Sequence, residues 1–468
     1  VKRALAPALL LCLAAGAVGQ EAPPADDTLR RLEALERRVE EQDRLIDELR
    51  ADADAPAPPP TDDPSAPTLE VGWKDGLLLS GTVNGAPYEV RPIGRIQLDY
   101  RVFAHNDRNA QVPHPVPENR FLVRRARLGF SGRLSDFGFM FEVDPDRAGI
   151  PLGVFNFQWQ RFEEVRVRFG HFRTPFALEN GITGTNQLPW LERSMVIGSG
   201  NALAPGFSPG AMAFGTLAKT FSYYLSAQNR TDSSNQVTSD PLLGARLELT
   251  VSAFVFGASG VWTRQGGGLQ DSVTGVTPAQ HRFFAPVRVQ GHDLRGSVDV
   301  SYFHGPFFVM AEYAYGEQER RRAITGGGDG SNFAVQGAYL GAGVVFWGPD
   351  ATRPRGGAPF VGWRLLPDLD RPRLGRFRGA ELIARVEWID LDDRNGGRGS
   401  AAPSRGADAA DIRGCDARAL TVGLNLFPIE NVRFSAHWTR VRVGDSGRTP
   451  DAGSHYEDEV VLRAQLDF

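Results

Sequence analysis

The sequence predicts an all-β protein, an antiparallel transmembrane β-barrel of about sixteen strands preceded by a short N-terminal coiled-coil helix. Three observations predict it. Beyond about residue 90, apolar and polar residues alternate with period two, the mark of a sheet with one face in an apolar medium and one in water. After the N-terminus no stretch offers the ~18–20 uninterrupted apolar residues of a membrane-spanning helix. The connections between alternating segments are short and long by turns, as in barrels with tight periplasmic turns and longer outer loops. A mean hydropathy of −0.27 fits, because polar residues facing the lumen offset the band facing lipid.

In chain order, residues 1–19 read as a secretory signal. Lys2 and Arg3 precede an apolar run through Leu9, Leu10, Leu11 and Leu13 to Val18, and Ala17 and Gly19 suit cleavage. Residues 26–50 read as a coiled coil, with Thr28, Leu32, Leu35, Val39, Gln42, Ile46 and Leu49 at a/d positions. A lone amphipathic helix has the same pattern, but a trimeric barrel behind the segment would supply the local concentration a short coil needs. Residues 51–68 form a Pro/Ala-rich linker. Residues 69–91 are a periplasmic β lead-in and residues 92–468 the barrel.

Within the barrel, Ile96, Leu98, Tyr100 and Val102 take one face, and Arg95, Gln97, Asp99 and Arg101 the other. Leu122, Ala126, Leu128 and Phe130 oppose Arg125, Arg127, Gly129, Ser131 and Arg133, and Val165, Val167 and Phe169 oppose Arg166 and Arg168. Strands are predicted at 92–104, 120–133, 136–144, 153–161, 163–172, 210–218, 220–229 and 241–251, then at 253–264, 291–303, 306–317, 333–347, 378–392, 416–427, 431–443 and 456–468. The junction Val251-Ser252-Ala253 lacks turn residues and is the weakest boundary. The connections 105–119, 173–209, 265–290, 318–332, 393–415 and 444–455 are long outer loops, whereas 348–377 is long on the periplasmic side. A soluble β-sandwich would have to hold all these strands, an unusual number for that architecture.

Charge narrows the function. A net charge of −4 argues against a nucleic-acid binder. Lysine stands only at Lys2, Lys74 and Lys219, so nearly all of the 52 basic residues are arginine, whose planar fork matches oxyanions. High genomic GC content gives the same bias, so position has to decide. By strand parity Arg95, Arg101, Arg125, Arg127, Arg133, Arg166, Arg168, Arg246, Arg295, Arg385, Arg433 and Arg463 point inward. Inward acids at Asp99, Glu248, Asp299, Glu312, Glu387 and Asp467 would neutralise many of them. The group Arg125, Arg127, Arg133, Arg166 and Arg168 is expected to have few inward acids nearby, and makes the best candidate anion contacts. Arg95, Arg101, Arg173 and Arg193 complete the candidate set.

No catalytic, cofactor or metal site is predicted. The histidines lack ligand spacing, and signal removal leaves Cys415 alone. The glycine runs 266–268 and 326–328 precede no helix, and no Ser–His–acid pattern can be assigned. Trp159, Trp262, Trp347, Trp388 and Trp438 suit an interfacial girdle.

Several stretches resemble the phosphate-selective porin O and P family. They are Trp73-Lys74-Asp75-Gly76-Leu77, Gly94-Arg95-Ile96-Gln97-Leu98-Asp99, Val123-Arg124-Arg125-Ala126-Arg127-Leu128-Gly129-Phe130, and Phe139 to Asp144. Val167 to Phe176, Leu191-Glu192-Arg193-Ser194 and Ala204-Pro205-Gly206 follow in order. The resemblance spans roughly residues 70–468. It implies a trimeric sixteen-stranded porin whose third outer loop, here 173–209, folds inward, with an arginine ladder leading anions to a constriction. Arg124-Arg125 matches the arginine pair of that constriction; alternation places Arg125 inward and Arg124 outward. It also implies a periplasmic turn folded into the channel, matching 348–377 with Arg353, Arg355, Arg364, Arg371, Arg373 and Arg376. The lysines near the exit that the resemblance implies are absent here.

The reading is a passive anion-selective porin for inorganic phosphate or related oxyanions, homotrimeric, in a bacterial outer membrane, with its coil in the periplasm. The alternatives are a less selective anion porin, a barrel tethering the membrane to the cell wall through its coil, and a barrel hydrolase.

Overall fold

The computed structural model describes Arg37, Glu40, Glu41 and Arg44, and then residues 67–73, 77–106, 119–144, 152–182, 188–198, 203, 205–231, 237–266, 271–278, 282–323, 327–347, 379–393, 415–429, 432–444 and 455–468. The signal, the linker up to residue 66, the arginines of 348–377 and the coiled coil lie outside these residues, apart from the four named first, which are helical and exposed. The expected linker ends one residue earlier, because Thr68 already begins a strand.

Sixteen strands close into an antiparallel barrel. They are β3 (Ala86–Asn106), β4 (Arg120–Leu134), β5 (Phe137–Val143), β6 (Leu152–Trp159), β7 (Arg166–Arg173), β8 (Phe207–Leu217), β9 (Phe221–Thr231) and β10 (Val237–Val251). After these come β11 (Phe254–Gln265), β14 (Gly291–His304), β15 (Phe307–Gln318), β16 (Phe333–Trp347), β17 (Gly379–Asp393), β18 (Cys415–Ile429), β19 (Val432–Val443) and β20 (His455–Asp467). Each pairs with its neighbours, and β20 returns to β3 through Leu462↔Tyr100 and Leu466↔Ile96. A hairpin of β1 (Thr68–Trp73) and β2 (Leu77–Val83) occupies the same edge of β3 before β20 takes over, with Leu79 opposite Val90 and Asp467 opposite Arg95. At that junction the backbones of Gly94 and Phe468 exchange two hydrogen bonds, of 2.8 and 3.1 Å. The Phe468 ring fills the space a Cβ at position 94 would need, so any larger residue there would have to displace that ring.

Burial runs opposite to that of a soluble sheet. Ile96, Leu98, Leu128, Phe130, Phe155, Phe157, Leu382, Val386 and Leu462 are exposed, while their strand neighbours Arg95, Gln97, Ser131, Asn156, Arg385 and Arg463 are buried. Phe130 is 52 % exposed and Arg127 only 8 %. Apolar side chains outside and charges inside are what a wall between hydrocarbon and a polar interior requires.

Two local predictions need correction. The 265–290 connection is not plain loop: it holds a separate hairpin, β12 (Asp271–Val276) with β13 (Arg282–Val289), whose Phe283, Phe284, Val287 and Val289 are buried. The weak junction at Val251 proves a two-residue turn, with Val251 paired to Phe254 and Ser252 in the left-handed region (φ 53°). A non-glycine residue there carries strain, which is why no turn residue signalled it.

Candidate functional site

Between Gln97 and Leu98 the β3–β4 register slips by one residue, so Gln97 faces Arg125 and Leu98 faces Val123. This β-bulge leaves Arg124 without a ladder partner on β3 and shifts the phase of β4. Phe121 and Val123 point out before it, Leu128 and Phe130 after it, and both Arg124 and Arg125 turn inward. The expectation that Arg124 and Leu122 share the outer face with Ala126 is therefore corrected. Strict parity fails at a bulge.

The segment between β7 and β8, here L3, folds into the barrel. Ala177, in the left-handed region (φ 65°), begins a π-helical turn, Ala177–Ile182, and its amide donates to Ser259 Oγ on β11. The Leu178 amide donates to Glu312 on β15, and that of Met195 to Glu387 on β17. Phe176, Leu178, Trp190, Val196 and Ile197 pack with Met310, Val335, Tyr339, Ile383 and Ile389 from the inner faces of β15–β17. Burying each such side chain contributes roughly 1.5–3 kcal/mol, which, with the loop's hydrogen bonds to β11, β15 and β17, offsets part of the entropy lost in ordering it.

From this seat L3 presents Glu192 and Arg193 to β3, β4 and β20. Arg124 grips Glu192 with both arms, Nε to Oε1 at 2.8 Å and Nη2 to Oε2 at 2.9 Å. Arg125 Nη2 donates to Oε2 at 3.3 Å and Arg463 Nη2 to Oε1 at 2.9 Å, with Arg101 Nη2 at 3.5 Å. Burial pushes the Glu192 carboxyl up, but the guanidiniums of Arg124, Arg125, Arg463 and Arg101 prevail and hold it well below the ordinary carboxylate value. Asp99 joins the network, accepting from Arg463 Nε at 2.6 Å and from Arg101 at 3.2 Å, and Arg101 also donates to Glu459 at 3.0 Å.

Beside this cluster Arg95 and Arg127 are direct cross-strand partners on the inner face. Arg95 Nε donates to Asp467 at 2.7 Å; Arg127 donates to Asp144 at 2.8 Å and to Glu142 at 3.2 Å. Arg193 donates to the Glu179 carbonyl oxygen. Burial lowers Arg193 to about 10, with Glu179 opposing the shift and the charges of Arg127 and Arg95 adding to it. It therefore stays cationic at neutral pH, in the field of two further guanidiniums.

The other predicted residues fall into place around these. Arg168 donates twice to Gln158 on β6 (2.9 and 3.3 Å), with its guanidinium 5.2 Å from the Phe214 ring centre. Arg166 shares its strand and its inner-face parity. Arg173 is drawn away to brace the root of L3, donating to Asn180 Oδ1 at 2.6 Å and lying over Phe207. Arg133 sits at the far end of β4 with its side chain half exposed, 3.8 Å from Glu89. Away from this group Arg246 is buried between Asp299 (2.7 Å) and Glu248 (3.1 Å), and Arg385 between Glu387 (2.7 Å) and Glu179 (3.4 Å).

The expectation that Arg125 and Arg127 have few inward acids nearby is overturned. Glu142 and Asp144 come from the inner parity of β5, and Glu192 comes from a loop whose destination no strand pattern fixes. Sequence reasoning missed Glu192 and set Arg124, named with Arg125 as the constriction pair, on the wrong face. The Leu191-Glu192-Arg193-Ser194 stretch was the available signal for the first. For the second it was two consecutive arginines in an alternating strand. Groups of His, Cys, Asp and Glu able to hold a metal ion are absent among the described residues.

A family model described as phosphate-selective porin O and P matches residues 90–468. Among solved structures the chain is similar to a loop L8 deletion mutant of OmpT, an outer membrane protein of Vibrio cholerae. Identity is 11%, 81% of this chain and 99% of that one are covered, and the TM-score is 0.51. It is also similar to Salmonella typhi OmpF, solved in complex with daunomycin, at 11% identity, 85% and 100% coverage and a TM-score of 0.50. At such identities the likeness speaks for the barrel fold alone. A search of curated proteins found no match.

Proposed function

This chain belongs to the phosphate-selective porin O and P family, and we propose that, as an outer-membrane porin, it passes phosphate-like oxyanions along the inward arginines of β3, β4 and β7. The observation that carries this reading is the pair Arg95 and Arg127, set directly opposite on neighbouring strands, with the cationic Arg193 of L3 beside them. Like charges directly opposite one another destabilise a sheet. A wall that keeps them supports a role beyond packing.

The chemistry follows from the guanidinium. Its parallel N–H pairs replace part of an oxyanion's hydration shell, and a row of such groups raises the barrier to cations. Conduction also needs release. The carboxylates of Glu142, Asp144 and Asp467 beside these arginines moderate each contact, so that several modest sites act in series rather than one trap. The same pairing favours a second reading, a less selective anion porin, over strict phosphate preference. The resemblance further supports a homotrimer; Lys2 and Arg3 before the apolar run to Val18 support a cleaved signal at 1–19, and the heptad of 26–50 supports a periplasmic coil.

Reversal potentials of the purified protein in planar bilayers, with phosphate, sulfate and chloride in competition, test the proposal. An anion-selective potential and a chloride current reduced by phosphate are expected. Arg127→Gln should raise the half-blocking phosphate concentration about tenfold, some 1.4 kcal/mol of lost contact. A cation-selective wild type would end the proposal. Equal block by phosphate and sulfate would favour the broader anion porin.

A further inference from the structure

Four guanidiniums, those of Arg101, Arg124, Arg125 and Arg463, converge on the single carboxylate of Glu192 at 2.8–3.5 Å. Arg124 meets it in the two-armed geometry that a free oxyanion would also engage. Strands β3, β4 and β20 supply the cations and the tip of L3 supplies the anion, so the carboxylate is delivered into an existing nest. The Glu192 side chain keeps 11% of its surface accessible, so the group is not sealed from solvent. A latch alone would need one arginine.

We propose that Glu192 is a tethered surrogate for the permeating oxyanion, a selectivity-determining residue that occupies this arginine nest and keeps it from holding mobile oxyanions too tightly. The inference rests on the reading of the bore as an oxyanion path. Without Glu192 the four guanidiniums would be balanced only in part, by Asp99 and Glu459 at the edge of the nest, and would hold an oxyanion tightly. A site that holds too tightly passes little current, because conduction requires leaving as well as entering. With Glu192 in place a mobile oxyanion has to compete for the same N–H donors. Its residence is shortened by that competition, while the excess of cations still attracts it.

The test is Glu192→Gln, which keeps size and hydrogen-bonding shape but removes the charge. It is measured on the full chain in planar bilayers carrying chloride, with inorganic phosphate and sulfate as blockers. The half-blocking concentration of phosphate is expected to fall about tenfold or more. If block is unchanged, or if conductance rises and anion preference falls without tighter block, Glu192 is only a loop anchor and the proposal fails. Should the variant not insert, Glu192→Asp, whose shorter arm withdraws the charge, must tighten block in the same direction by a smaller factor. An unchanged block there counts against the proposal equally. A cation-selective wild type would sink the oxyanion reading itself. An anion-selective, phosphate-blocked wild type whose Glu192 variants block no tighter would sink this inference alone.

Discussion

Two sectors of one barrel wall put the same inward parity to different uses. On β15–β17 the inner face carries Met310, Val335, Tyr339, Ile383 and Ile389, which pack against L3. The arginine of that sector, Arg385, is held between Glu387 and Glu179, as Arg246 on β10 is between Asp299 and Glu248. On β3–β7 the inner face carries Arg95 and Arg127 directly opposite one another, each also paired with acids, and Arg168 bonded to the Gln158 amide. The difference teaches that an inward arginine is not by itself a pathway residue. Its role is set by the whole set of neighbours: acids alone make it a brace, whereas a second arginine directly opposite, as for Arg95 and Arg127, or an amide partner, as for Arg168, leaves it donors to offer.

The sharpest way to break this contrast is Arg246→Gln. Removing one partner of a buried ion network strands Asp299 and Glu248, and the cost should be about 3–5 kcal/mol of barrel stability. Denaturant unfolding of the detergent-solubilised protein measures it, and the phosphate block of whatever folded protein remains should be unchanged. A weakened block with intact stability would erase the distinction between brace and pathway.

Trp190→Ala comes next. Its ring lies against Gly341 where a Cβ would clash, 6.1 Å from the Phe308 ring and 5.1 Å from the Arg385 guanidinium. Truncating it should cost roughly 3 kcal/mol of local packing and loosen L3, seen as higher conductance, lower selectivity and faster proteolysis within 174–206. Unaltered conductance would show that the apolar sector does not position the loop.

Arg133→Gln should do least. Its side chain is half exposed at the strand end and its ion pair is long, so stability should move by no more than about 0.5 kcal/mol and block by less than about twofold. A large effect would extend the working arginines to the barrel rim.

How far the molecule was legible in its sequence follows the same divide. Strand number, closure and facing were readable because period-two alternation is enforced at every step by lipid on one side. Ile96 and Arg95 cannot exchange places without placing a cation in hydrocarbon. Legibility failed where the ladder is irregular. The bulge at Arg124 and the hairpin inside 265–290 obey no simple period. It failed again where the chain leaves the wall, since nothing local tells Glu192 that its partners are Arg101 and Arg463, distant in sequence. Acids on β5 were readable in principle, because Glu142 and Asp144 follow Gly138 and Met140 on one parity.

The bulge on β4 has a consequence for how much charge a wall of this kind can display. A regular strand presents every second residue to the interior, so same-facing cations on it lie about 6.6–6.8 Å apart along the chain, twice the rise per residue. One inserted residue halves that interval to about 3.3 Å, placing Arg124 and Arg125 shoulder to shoulder over the same stretch of water. Deleting either would restore the even spacing and rotate everything upstream on β4 by half a turn, trading Phe121 and Val123 for Leu122 on the lipid side. Density of positive charge, and not merely its sign, is therefore written into a single irregularity of the backbone.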